Sequence, residues 1–229
     1  MKKLVFAALA VIGMQFAATA QETTVEEPVN DTIHSSNTWY VGFGATGFDK
    51  FKINDNLKAT GMPQLGDAAF QVSIGHESKG EDFLVNLEWN TAYMDEKTST
   101  DRVKTVNTGI KLRFHYIPWQ NKKFFLSMGA DFAYTFNNFN LYTRGNEIDL
   151  DDLDPGTHTG HINLYNNQLT LGPSVMFGAF TNSNFPVRLV AGYDWAIYSS
   201  KWKSEFANVS NSFRESGQGS WYARLVLPL

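Results

Sequence analysis

From Thr38 onward the chain alternates between apolar and polar positions with period two, in eight segments. The segments are 38–47, 67–76, 82–93, 103–116, 124–137, 167–180, 187–199 and 218–228. In the fifth, Phe124, Leu126, Met128, Ala130, Phe132, Tyr134 and Phe136 alternate with Ser127, Gly129, Asp131 and Thr135. In the seventh, Val187, Leu189, Ala191, Tyr193, Trp195 and Ile197 alternate with Arg188, Gly192 and Asp194. Side chains of a strand point alternately to its two faces, so each segment predicts one apolar and one polar face. Pro173 falls on the apolar parity of the sixth segment. It cannot donate to a ladder, and a bulge is expected there.

The connections also alternate. In order they span 19, 5, 9, 7, 29, 6 and 18 residues, and every second one is short. Outer-membrane barrels have an even strand number, short periplasmic turns and longer extracellular loops. The order therefore predicts an all-β fold, an eight-stranded antiparallel up-and-down transmembrane β-barrel, with 138–166 and 200–217 outside the cell. A soluble lipocalin-like barrel that binds an apolar ligand would instead turn the apolar face inward and carry a charged exterior. Here the polar face is rich in small residues, among them Gly42, Gly44, Ser73, Gly75, Gly109, Ser127, Gly129, Gly178 and Gly192. That composition suits a narrow lumen. Trp39, Tyr40, Tyr93, Tyr116, Trp119, Phe124, Phe136 and Trp221 lie near strand ends, as membrane-interface girdles would.

Ahead of the barrel, Lys2 and Lys3 precede an apolar run from Leu4 to Phe16, and Ala18-Thr19-Ala20 fits a cleavage site. Residues 1–20 are thus expected to be a signal peptide. Residues 21–37 form a flexible acidic lead-in, and 38–229 the barrel. Asp31-Thr32-Ile33 matches a short bacterial O-glycosylation pattern, and Asn208-Val209-Ser210 an N-glycosylation sequon of no use in a bacterium. The absence of Cys excludes disulfides, thiolate metal sites and a lipid-anchoring Cys, and a net charge of −4 argues against nucleic acid as a partner.

Signal peptide, amphipathic strands and turn–loop alternation together resemble small outer-membrane β-barrels of the OmpA/OmpX type, in the style of Bacteroidota PorT-like barrels. The resemblance covers roughly residues 38–229. It implies a cell outer membrane location, outer-membrane lipid as a partner and a role carried by the loops. One departure is the C-terminus, Leu225-Val226-Leu227-Pro228-Leu229, where such barrels often end in an aromatic residue.

Candidate chemistry is sparse. Glu147, Asp149, Asp151, Asp152 and Asp154 lie in one loop with His158 and His161 and offer hard oxygen ligands, but without EF-hand spacing. A solvated acidic loop is the expected reading, with no metal and no cofactor. A few such barrels modify lipid, so a lipid-modifying enzyme is the alternative, with His76, His115, His158 and His161 as candidates. No positioned nucleophile accompanies them, and no catalytic residue is assigned. A solute channel is not expected, because Tyr40, Leu84, Phe125, Met176, Val190, Tyr198, Tyr222 and Val226 fall on the lumen parity and fill a narrow interior.

Six charged residues share that parity at mid-height: Glu88, Lys111, Arg113, Asp131, Asp194 and Arg224. A lone buried charge is costly, so a ring of ion pairs is expected between neighbouring strands. The expected pairs are Glu88 with Lys111, Arg113 with Asp131, and Asp194 with Arg224.

Overall fold

A computed structural model describes residues 36–143, 160–181, 183 and 185–229. The segment expected to be a signal peptide, nearly all of the expected lead-in, and the acidic cluster with His158 lie outside the described residues. The strands are β1 (Ser36–Phe48), β2 (Ala68–Lys79), β3 (Phe83–Lys97), β4 (Asp101–Gln120), β5 (Phe124–Thr143), β6 (His161–Ala179), β7 (Val187–Ser199) and β8 (Gly219–Pro228). One short helix, α1 (Ile53–Ala59), interrupts the β1–β2 connection. Each strand pairs antiparallel with the next, and β8 closes on β1 from Phe48↔Ser220 to Tyr40↔Pro228. Pro228 ends the register opposite Tyr40, and Leu229 N still donates to Trp39 O at 2.8 Å. The missing N–H therefore falls on the side away from β1, past the end of the β7 pairing at Val226.

The apolar parity faces outward. Trp89, Ile110 and Phe132 are exposed, whereas Glu88, Lys111 and Asp131, one residue away on the same strands, are buried. A soluble barrel would show the reverse. An apolar belt this continuous is unstable in water and belongs against hydrocarbon. Inward-facing glycines make room for lumen aromatics. A Cβ on Gly75 would lie 2.3 Å from the Tyr40 hydroxyl, and one on Gly178 would lie 1.9 Å from the Phe125 ring. Tyr40 thus fills the lumen and is not part of a girdle.

Three local expectations need correction. Pro173 faces outward without a bulge: its rung with Ala130 is kept, and β6 resumes its pairing with β7 in the same register on either side. The register shifts lie elsewhere. One falls in β4 between Tyr116 and Trp119 and contains Pro118, a residue a regular ladder rejects. The other falls opposite Leu169/Thr170 and makes Ile197 an extra residue of β7. As a result Ile197 and Tyr198 both face out, and Tyr198 does not fill the lumen.

The third correction concerns the walls. β4 and β5 have 20 residues each, and β8 has 10. At about 3.3 Å per residue the long strands run roughly 65 Å and β8 roughly 33 Å. With a tilt of about 40° the long strands stand roughly 50 Å tall, about twice the apolar band of a membrane barrel. The third connection shrinks to Thr98–Thr100, and 138–143 and 161–166 are strand, not loop. One side of the barrel, β3 to β6, therefore rises above the other as a curved wall.

Candidate functional site: a plugged lumen under a packed cap

The mid-height charges form one connected network. Arg113 on β4 faces Asp131 on β5 in the register and makes two parallel hydrogen bonds to it, Nε to Oδ1 and Nη2 to Oδ2, both 2.9 Å. Lys111 Nζ lies 2.7 Å from Asp194 Oδ2 and 3.2 Å from Asp131 Oδ2, and 3.6 Å over the Tyr222 ring. Arg224 pairs with Glu88. Tyr40 Oη donates to Glu88 Oε2 at 3.1 Å, and Ser174 Oγ donates to Asp131 Oδ1 at 2.6 Å. Arg113 also donates to the Tyr222 hydroxyl at 3.0 Å. All six charged residues are buried, with exposures of 1–5%.

Two of the three expected partner choices are replaced. Glu88 and Lys111 are opposite in the register, yet Lys111 reaches across the lumen to β7 and Glu88 across to β8. In so narrow a lumen the side chains meet near the axis, so partners three strands apart compete with neighbours. Two carboxylates draw Lys111 away from Glu88. Asp194 and Arg224 are also poorly matched in height, because Asp194 is opposite Ser220 and Arg224 is opposite Val190.

A second charged layer lies nearer the turn end and was not anticipated. Glu77 and Arg188 form a buried ion pair, and Lys79 Nζ donates to Gln120 Oε1 at 2.7 Å. The Phe125 ring takes Lys79 at 5.2 Å and the Arg188 guanidinium at 5.7 Å. The lumen parity of β2, extended past His76 through Glu77 and Lys79, would have revealed it. Around this layer Tyr40, Leu84, Ile117, Phe125, Met176, Val190, Tyr222 and Val226 form an apolar plug.

Above the mid-height charges sits a cavity of about 50 Å³, lined by amides and hydroxyls that include Gln71, Asn107 and Gln168, together with Lys111 and Asp194. It has room for a few water molecules. Over it lies a second core that the sequence reading missed. Phe51, Ile53 and Leu57 on and before α1, with Leu65 and Trp202 from the loops, pack against Met94, Val103, Phe139 and Leu141 of the tall wall. The Phe139 and Trp202 rings are 4.6 Å apart. Glu215 joins the two loops: its carboxylate accepts from Lys52 N at 2.8 Å, Ile53 N at 3.0 Å and Trp202 Nε1 at 3.2 Å. An anion satisfying the free N–H groups that open a helix is electrostatically favourable. The signal in the sequence is Phe51, Ile53 and Leu57, three apolar residues inside the 19-residue first connection. Residues 200–217 are accordingly packed in part, with Trp202 and Glu215 buried.

The histidines separate. His76 lies on the outer face against Trp39, with ring centroids 5.2 Å apart. His161 stacks on Tyr142 at 4.6 Å on the upper wall. His115 is buried, with Nδ1 2.9 Å from Ser127 Oγ and Nε2 2.7 Å from Ser174 Oγ. Ser174 in turn donates to Asp131. This contains the parts of a triad in the wrong order: a serine stands between histidine and carboxylate, so the carboxylate does not orient the ring. Asp131 is already held by Arg113 and Lys111, and Ser127 is fully buried. The chain of hydrogen bonds ties β4, β5 and β6 together and leaves no exposed nucleophile within it.

No protein-family model and no curated protein matches the chain. Solved structures do match. The attachment invasion locus protein Ail of Yersinia pestis aligns at a TM-score of 0.51 and 9% identity, covering 84% of this chain and 97% of Ail. A major outer membrane protein from Thermus thermophilus aligns at 0.47 and 13% identity, over 85% of this chain and 100% of that one. Neisserial surface protein A aligns at 0.44 and 10% identity, over 86% and 99%. At such identities the likeness is one of fold.

Proposed function

We propose that this small β-barrel of the OmpA/OmpX type, a protein of the cell outer membrane, is a non-enzymatic scaffold that holds a packed cap outside the cell for contact with other surfaces. The observation that carries this reading is the filling of the interior at both ends. An apolar plug occupies the turn end and a second apolar core occupies the loop end, and among the described residues a polar-lined cavity of about 50 Å³ lies between them. A transport role needs a continuous path, and eight strands leave little room for one. A surface role needs a rigid platform with ordered loops, which α1 and Glu215 provide. The long connections and the tall wall share one end, and in such barrels that end is extracellular.

Planar-bilayer recording tests the plug: pure protein should give no stable single-channel conductance, and a reproducible nanosiemens pore would overturn the reading. Cysteine labelling on whole cells tests the orientation. Lys58→Cys on α1 should react with an impermeant maleimide, and Lys122→Cys in the β4–β5 turn should not; the opposite pattern inverts the proposal.

A further inference from the structure

On the outer face of β5 the side chains run apolar up to Tyr134 and Phe136 and then change to Asn138 and Asn140. That change marks where hydrocarbon gives way to headgroups. Tyr165 of β6 stacks on Phe136 at this level, with ring centroids 5.7 Å apart. Here the β7–β8 connection returns to β6 and forms an isolated β-bridge with it. Tyr165 N donates to Lys203 O at 2.8 Å, and Lys203 N donates to Tyr165 O at 3.0 Å. Trp202 turns into the cap core, and Lys201 and Lys203 on either side of it are exposed. Beside them opens a groove of about 340 Å³, lined by Tyr165, both lysines, Ser204, Asn208 and Ser212.

We infer that this groove binds the phosphorylated saccharide headgroup of an acylated glycolipid of the outer leaflet. The volume falls in the usual range of small-molecule sites, roughly 300–1,000 Å³. Lys201 and Lys203 flank the inward-facing Trp202, about 6.5 Å apart if the segment is extended, and offer two cations to phosphate oxygens. Asn208 offers donors and an acceptor to sugar hydroxyls. Ser204, whose oxygen accepts from Phe206 N, offers its O–H, and Ser212, whose O–H goes to Trp202 O, offers an acceptor, while Tyr165 offers a flat apolar face. The decisive feature is continuity. Tyr165 lines the groove and also caps the lipid-facing column Phe136, Tyr134 and Leu171, all exposed outward. A ligand that uses both parts is an amphiphile held at the membrane boundary, with acyl chains running down that column.

The test is native mass spectrometry of the full barrel released from nanodiscs. The discs would contain phosphatidylcholine doped with a bisphosphorylated, acylated diglucosamine lipid. Parallel samples would contain phosphatidylglycerol, or soluble glucosamine phosphate, instead. Wild type should retain one glycolipid at about tenfold lower dose than phosphatidylglycerol. The double variant Lys201→Ala/Lys203→Ala should lose retention by about tenfold or more, because two charge-assisted contacts are gone. Lys201→Arg/Lys203→Arg should keep it, and Lys58→Ala on the cap should not change it. The folded state of each variant is read from its migration before and after boiling. Equal retention by the folded double-alanine variant would sink the inference, as would equal retention of phosphatidylglycerol. Soluble glucosamine phosphate bound as tightly as the glycolipid would sink it too, since the lipid column would then contribute nothing.

Discussion

On β3, β4 and β5 the inward positions carry Glu88, Lys111, Arg113 and Asp131 at mid-height, but Met94, Val103, Phe139 and Leu141 at the loop end. The outer face changes in the opposite sense at the same level. Tyr93 gives way to Asp95, Val106 to Lys104, and Phe136 to Asn138. The register places these changes side by side, with Tyr93↔Val106 and Val106↔Asn138 as partners. The strands continue without a break while the polarity of both faces inverts. The cause is the solvent outside. Against hydrocarbon the outer face must be apolar, and the narrow interior can be polar if its groups are paired. Above the headgroups the outer face meets water, so the interior becomes an ordinary hydrophobic core.

The largest expected effect attacks the polar half. Glu88→Leu leaves Arg224 buried without its ion-pair partner and should destabilise the barrel by roughly 3–5 kcal/mol. Glu88→Leu/Arg224→Leu together should cost less, because no charge is stranded. Asp194→Leu should also cost less than Glu88→Leu, since Lys111 keeps Asp131 at 3.2 Å. Urea unfolding in lipid vesicles, followed by tryptophan fluorescence, orders the three. A single Glu88→Leu that unfolds like wild type would show that water, and not Glu88, satisfies Arg224.

The next attacks the apolar half. Phe139→Ala removes a ring buried between Phe51 and Trp202 and should cost about 3 kcal/mol of cap stability. The loss should be local. Hydrogen exchange should rise in 49–67 and 200–218, while resistance to boiling and the exchange of β4 below Asn107 stay as in wild type. If exchange rises equally in both regions, the cap and the membrane barrel form one cooperative unit, and the contrast between them is only compositional.

The same inversion explains what the chain discloses by pattern and what it hides. Period-two alternation with apolar side chains outward finds the parts of the strands that lipid surrounds. It fails where the sign reverses, so segments three, five and six stop short by 4, 6 and 6 residues. The wall above the membrane then looks like polar loop. The parity of Glu88, Lys111, Arg113, Asp131, Asp194 and Arg224 follows from alternation alone. Their partners do not, because side chains reaching across a lumen are ordered by the closed ring and its stagger, which no single strand encodes. The bulge at Ile197 is similarly silent, since a local run of Trp195, Ala196, Ile197 and Tyr198 reads equally well in either phase. The cap core has the weakest signal: Glu215 and Ile53 meet only after two loops more than 150 residues apart have folded.

The smallest effect belongs to the rim of the tall wall, where the outer face is wet. Arg102 donates Nε to Asp95 Oδ1 at 2.7 Å and Nη2 to Asp95 Oδ2 at 2.6 Å. These two hydrogen bonds hold the Asp95 carboxyl well below the usual aspartate range, with Lys97 at 3.4 Å adding to the effect. A folded-state pKa that is depressed contributes stability above the unfolded value, near 3.9, and loses it as pH falls through the folded value. Arg102→Ala should therefore raise the Asp95 titration toward the ordinary range, read by carboxyl-carbon NMR of the labelled barrel in nanodiscs. Any stability difference from wild type should be present at neutral pH and fade on acidification. It should be much smaller than that of Glu88→Leu, because a half-buried rim pair is partly screened by solvent and a fully buried one is not. If the two substitutions prove comparable, Asp95 and Arg102 lie in a low-dielectric setting, and the level at which the wall leaves the membrane must be set higher than Tyr93.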